Sequence, residues 1–178
     1  MMVMNDHETS IVLIGFMGTG KSTVGQQLAQ HLGYEFIDLD AEIVRRQGRT
    51  IPELFAQDGE AYFRLQENRI LTDLLQHKTR LVIATGGGAV LDDNNCKTML
   101  HNGFVVALTA QLDTIVARVQ GDTNRPLLQG DVTERVHALM EARLGRYDFA
   151  HCTVETDYLA VEPIIAAIMS AYAKHSLR

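Results

Sequence analysis

Eight consecutive residues, Gly15-Phe16-Met17-Gly18-Thr19-Gly20-Lys21-Ser22, carry the most explicit chemistry in the chain. They match G-x-x-x-x-G-K-[ST] at every fixed position, the pattern of a loop whose backbone wraps phosphate groups. Gly15, Gly18 and Gly20 allow backbone conformations closed to other residues, so successive N–H groups can converge on an anion. Lys21 is spaced to reach β- and γ-phosphates, and Ser22 to place its hydroxyl on Mg²⁺. A second group is Asp38-Leu39-Asp40, two carboxylates at the end of the apolar stretch after Tyr34. Alternation puts both on one side if the strand runs that far. Asp38 is then directed at a metal and Asp40 at a substrate, while Asp40 could equally cap the helix that follows.

Three further features are weaker. Gly86-Gly87-Gly88 follows an apolar run, which suggests a backbone that something must approach closely. The segment Gly121–Asp131 is flanked by glycines and polar at its start, and it holds Arg125-Pro126; it reads either as a lid over a phosphate site, delivering Arg125, or as a plain surface loop. Arg64, Arg143 and Arg146 look ordinary. Arg64 reads as a solvated charge or a local partner of Glu60 or Glu67, and the other two sit where a helix C-terminus favours cations.

The elements that must hold these groups alternate. Ser10–Ile14 reads as a buried strand, and Val24, Leu28, Ala29 and Leu32 mark a helix stopped by Gly33. Tyr34–Ile37 is a second strand, followed by a helix from Ala41. A short helix opens at Ile51 behind the cap Thr50, with Pro52 in its first turn. Gly59-Glu60 breaks it, and a longer helix runs from about Glu60 to Gln76 on a stripe of Phe63, Ile70, Leu71, Leu74 and Leu75. Leu81–Ala84 is the third strand; Asp92 caps a helix that ends near Asn102-Gly103. Phe104–Leu108 is the fourth strand, then a helix bears Leu112, Ile115, Val116 and Val119. Helix is expected again from Val132 to about Ala150, with Val136, Leu139, Met140 and Leu144 as its apolar face. Cys152–Thr156 is the fifth strand, and Glu162-Pro163 opens a last helix to about Lys174. Strands alternating with helices predict an α/β fold, a parallel sheet covered on both faces.

The rest of the composition narrows the function. The 178 residues form one domain, and a net charge of −6 with no basic stripe argues against a general nucleic-acid binder. No apolar run approaches a membrane span, and the polar start lacks the apolar core of a signal peptide, so a cytoplasmic protein is expected. Cys96 and Cys152 show no framework spacing and read as reduced thiols; His151-Cys152 lacks zinc-ligand spacing and reads as structural.

The constellation as a whole resembles shikimate kinase, a small family within the nucleoside-monophosphate-kinase-like phosphate-loop proteins. The resemblance rests on Gly15–Ser22, Asp38-Leu39-Asp40, Gly59-Glu60-Ala61-Tyr62-Phe63-Arg64, Gly86–Gly88, Arg125-Pro126-Leu127-Leu128, and Arg143 four residues before Tyr147, in order from about Ile11 to Tyr158. It implies a three-layer α/β/α fold around a five-stranded parallel sheet of order 2-3-1-4-5. It also implies, within one domain, a substrate-binding part at about residues 39–68 and a lid at about 120–131, and a monomeric protein. It implies ATP-dependent phosphorylation of the 3-hydroxyl of shikimate, on the route to chorismate and the aromatic amino acids, with Mg²⁺ as cofactor. Gly18, Thr19, Gly20, Lys21, Ser22, Thr23, Arg125 and Ala160 would bind ATP. Ser22 and Asp38 would hold the metal. Asp40, Arg64, Gly87 and Arg143 would bind shikimate, with Lys21, Asp40 and Arg125 catalytic. Two other readings are a kinase for another polyol acid such as gluconate, and a nucleotide-dependent module without turnover.

Overall fold

The computed structural model describes residues 9–120, 130–157 and 160–177. The expected lid, including Arg125, lies largely outside the described residues, as does Tyr158. Five parallel strands form one sheet in the order β2-β3-β1-β4-β5. These are β1 (Ser10–Gly15), β2 (Glu35–Asp38), β3 (Leu81–Ala84), β4 (Gly103–Thr109) and β5 (Cys152–Glu155). β1 is central: Ile11 pairs with Val82 on one side and Phe104 on the other. A strand covered on both faces needs apolar groups at every position, and all of β1 is buried.

Alternation along β1 assigns the two cores. Val12 and Ile14 face Leu54, Phe63, Ile70, Leu71 and Leu74. All five come from α3 (Ile51–His77), which packs beside α2 (Leu39–Gln47) and α4 (Asp93–Asn102). Ile11 and Leu13 face Val24, Leu28, Ile164 and Ile168, from α1 (Lys21–Leu32) and α7 (Val161–Ser176). A third, smaller cluster of Phe16, Ile115, Val119 and Val136 lies between the phosphate loop and the helices α5 (Leu112–Val119) and α6 (Val132–Ala142).

The break expected at Gly59-Glu60 is a kink within α3, where Gly59 has φ 82° and ψ 171°. Thr50 caps this helix as expected and does so reciprocally: it accepts from the Glu53 N–H while the Glu53 carboxylate accepts from the Thr50 N–H.

Two expectations are corrected. The helix expected to run to about Ala150 stops at Ala142. Arg143 leaves helical geometry, Gly145 takes φ 77°, and tight turns closed by Arg146 N–H to Arg143 O and Ala150 N–H to Tyr147 O follow. Leu144, taken as part of the apolar face, is 88% exposed. The second strand ends at Asp38, so Asp40 is not its continuation; it sits in the first turn of α2, and Asp38 is the cap, accepting from the Ala41 N–H at 3.0 Å. His151 is structural as read: its Nδ1 accepts from the Val105 N–H at 2.9 Å.

Candidate active site

The strand C-termini open on a cleft of about 400 Å³, the place an open α/β sheet reserves for ligands. Met17, Gly18, Gly20, Lys21, Ser22 and Thr23 line one side, with Asp38, Asp40, Thr85, Gly86, Gly87 and Arg118 completing it. On the loop side, Gly20 adopts φ 97° at the N-terminus of α1, where no side chain caps the helix. Its first N–H groups and the positive end of the helix dipole thus face the cleft, an arrangement that suits anions. The Lys21 ammonium is drawn onto the loop, donating to Gly15 O at 2.7 Å and Phe16 O at 2.9 Å. Thr19 differs from the other loop residues. Its side chain is buried and donates to Phe16 O at 2.8 Å, and it is not part of the cleft lining.

Ser22 and Asp38 meet as the sequence suggests, the hydroxyl donating to Asp38 Oδ2 at 3.2 Å. Among the described residues no group of three His, Cys, Asp or Glu side chains could enclose a metal ion. A hydroxyl and a carboxylate side by side instead offer the few hard oxygens that Mg²⁺ takes from a protein when phosphate and water supply the rest.

The other side of the cleft stands on Gly86–Gly88, just past β3. None of these three glycines has positive φ, so torsion does not require glycine there. Space does. A Cβ on Gly86 would lie 2.8 Å from Asp40 Oδ1, one on Gly87 3.1 Å from Arg143 Nη1, and one on Gly88 2.5 Å from Arg64 Nη2. Three charged groups from α2, the end of α6 and α3 each rest on one glycine of this floor. The expectation of close approach therefore holds, with the visitors now named.

Each group is held differently. Arg64 donates from Nη1 to both oxygens of Glu67, at 3.0 and 3.2 Å, with Glu60 at 3.6 Å from Nη2. So the local pairing with Glu60 and Glu67 and the approach to the floor are both present. Glu67 is 1% exposed. Burial pushes its carboxyl pKa up, against the opposing pull of the Arg64 guanidinium. Asn95 Nδ2 donates to it at 3.1 Å, and Asn68 Nδ2 donates to Asn95 Oδ1 at 2.8 Å. Arg143 is also buried, its guanidinium carbon 5.4 Å from the Phe16 ring centre, and its Nη1 has no hydrogen-bond partner among the described residues. Beside it the Tyr147 hydroxyl donates to Gly87 O at 3.0 Å; burial raises its pKa, with Arg143 opposing.

Sequence reading missed Arg118 and named Glu67 only as a candidate partner of Arg64. Arg118 looked like one polar residue on an amphipathic helix, yet it donates to Gly18 O at 3.0 Å and Thr156 O at 2.6 Å. The burial of Glu67 was not foreseen; its spacing from Arg64 suggested only a local pair. Ala160 is an exposed N-cap of α7 and does not line the described cleft.

Comparison with known proteins agrees with this geometry. The family model for shikimate kinase matches residues 17–173. A shikimate kinase from Pelotomaculum thermopropionicum is 44% identical over 168 residues, spanning 94% of this chain and 97% of its own. The structure of a shikimate kinase from Acinetobacter baumannii in complex with shikimate superposes with a TM-score of 0.87 at 38% identity, covering 96% of both chains. A gluconokinase from Sinorhizobium meliloti, by contrast, reaches a TM-score of 0.57 at 19% identity, a likeness of fold alone. A phosphate loop facing a glycine floor with two arginines and an aspartate, in a chain so matched along nearly its whole length, has one consistent account: the chain belongs to the shikimate kinase family.

Proposed function

We propose that the enzyme transfers the γ-phosphoryl group of ATP to the 3-hydroxyl of shikimate, giving shikimate 3-phosphate and ADP. The observation that carries the acceptor is Arg143: a buried guanidinium beside Gly87 whose Nη1 has no partner among the described residues. A buried cation without its hydrogen bonds is costly, and a carboxylate that supplies them binds strongly and in a fixed orientation. Arg64, anchored by Glu67, provides the second cation, and the N–H of Gly87 the backbone contact. Shikimate offers the required carboxylate together with ring hydroxyls.

The chemistry follows from placement. The loop amides from Gly18 to Thr23 and the Lys21 ammonium hold the β- and γ-phosphates. Ser22 and Asp38 fit Mg²⁺, Asp38 through water; the bound ion would neutralise charge on the phosphate oxygens. Asp40 orients the acceptor hydroxyl and takes its proton as that oxygen bonds to the γ-phosphorus and the bridging oxygen departs with ADP. Arg125, outside the described residues, is the proposed lid cation, in a lid spanning about 120–131. Residues 39–68 form the proposed acceptor-binding part, and Ala160 the proposed neighbour of the base. An ADP-release assay with ATP and Mg²⁺, with and without shikimate, tests the reading. Shikimate-dependent release is expected; release that ignores shikimate but responds to gluconate overturns it.

A further inference from the structure

Against the phosphate loop lies a buried polar hub centred on Thr156. This residue directly follows β5 and is 2% exposed. Its hydroxyl donates to Thr19 O at 2.9 Å, with Thr109 O at 3.1 Å as the alternative acceptor. The same hydroxyl accepts from Arg118 Nη1 at 3.1 Å, and the Thr156 N–H donates to Thr109 O at 2.8 Å. Arg118 Nη1 also donates to Gly18 O at 3.0 Å. Two consecutive loop carbonyls, of Gly18 and Thr19, are therefore gripped by residues distant in sequence.

The consequence follows from peptide geometry. In a trans peptide the C=O and the following N–H point to opposite sides. A Thr19 carbonyl held on Thr156 turns the Gly20 N–H the other way, and Gly20 lines the cleft. Gly20 itself, with φ 97° and no side chain, does nothing to fix that plane. We propose that Thr156 is a positioning residue for the nucleotide: its hydroxyl locks the Thr19–Gly20 peptide so that the loop amide stays aimed at the phosphates. This rests on the phosphate-loop part of the proposed function and not on the identity of the acceptor.

Thr156→Val keeps the branched shape and removes the hydroxyl; Thr156→Ser keeps the hydroxyl. Calorimetric titration with ADP is expected to give a Kd about tenfold higher for the valine variant and within about twofold of wild type for the serine variant. KM for ATP should move with it while KM for shikimate stays within about twofold. An unchanged ADP Kd in Thr156→Val, or no rescue by serine, overturns the proposal. So does a parallel rise in both KM values with a lower Tm, which is the mark of a merely structural residue. Should the valine variant not fold, Thr156→Cys, a weaker donor, must fall between serine and wild type on one side and complete loss on the other; an ADP Kd equal to wild type then sinks the idea. The ADP titration stands even if shikimate proves not to be the acceptor.

Discussion

The two ends of the cleft are built on different plans. The proposed nucleotide end is built chiefly from one contiguous stretch, Gly15 to Thr23, which offers backbone N–H groups, one ammonium and the Ser22 hydroxyl. The proposed acceptor end is assembled from α2, α3, the turn after α6 and the glycine floor, and it offers mainly side chains. Phosphate carries its charge on several oxygens of one compact group, so a curl of backbone at a helix N-terminus suffices to hold it. A carboxylate on a small ring must be both held and oriented, which calls for planar guanidinium groups set by distant elements. The first plan is local in sequence and the second is not.

Variants that damage one end and spare the other test this division. The largest effect is expected from Arg143→Ala, which removes the buried cation: KM for shikimate should rise about a hundredfold, with the ADP Kd within about twofold of wild type. Comparable losses at both ends, read by steady-state kinetics beside ADP titration, would refute the division. Next comes Gly88→Ala. The added Cβ meets the end of the Arg64 side chain rather than backbone, so Arg64 can swing aside at little cost to the fold. KM for shikimate should rise about tenfold while Tm changes by no more than about 3 °C. A large fall in Tm without a change in KM would mean that the glycine serves the fold instead. Tyr147→Phe removes one hydrogen bond to Gly87 O and should raise KM for shikimate about threefold, leaving KM for ATP alone.

The smallest effect concerns how α2 is fastened to α3. Glu42 is lowered to a pKa of about 2, first by its hydrogen bond from Arg45 and also by that from Arg46, and Arg46 reaches across to Asp73 on α3 at 2.7 Å. Because the folded pKa lies below the unfolded value near 4.5, this contribution is present above pH 4.5 and is lost as pH falls toward 2. Thermal melts between pH 5 and 2.5 should fall less steeply for Glu42→Gln than for the parent. Identical slopes would show that the pairing adds nothing, as exposed ion pairs often do.

The fold was legible because its signals are local. Strands that are apolar throughout, caps such as Thr50 and breakers such as Gly59 each act within a few residues, and the strand-helix alternation follows from them. The sequence misled where local pattern and tertiary demand part company. Leu144 extends an apolar stripe, but the chain must leave the helix at Arg143 to turn that guanidinium toward Gly87. Asp38 and Asp40 are spaced like alternate strand residues, yet the strand ends where its hydrogen-bond ladder does, and the helix turn brings Asp40 to the floor instead. Arg118 and Thr156 could not be found by spacing, since what matters about them is contact with carbonyls roughly a hundred residues and more away. Glu67 was half visible: its distance from Arg64 suggested a pair, but its burial and its bond from Asn95 on α4 left no local mark.

The glycine floor has a consequence for anything made to compete with the acceptor. A ligand that rests on Gly86–Gly88 touches peptide atoms, and a point substitution cannot take those away. It can only add bulk, and bulk at these positions displaces Asp40, Arg143 or Arg64, the groups proposed to hold the natural acceptor. Escape from such a ligand would have to come from the walls, where α2, α3 and the turn at Arg143 can still change. The floor is thus the part of the cleft with the least room for resistance.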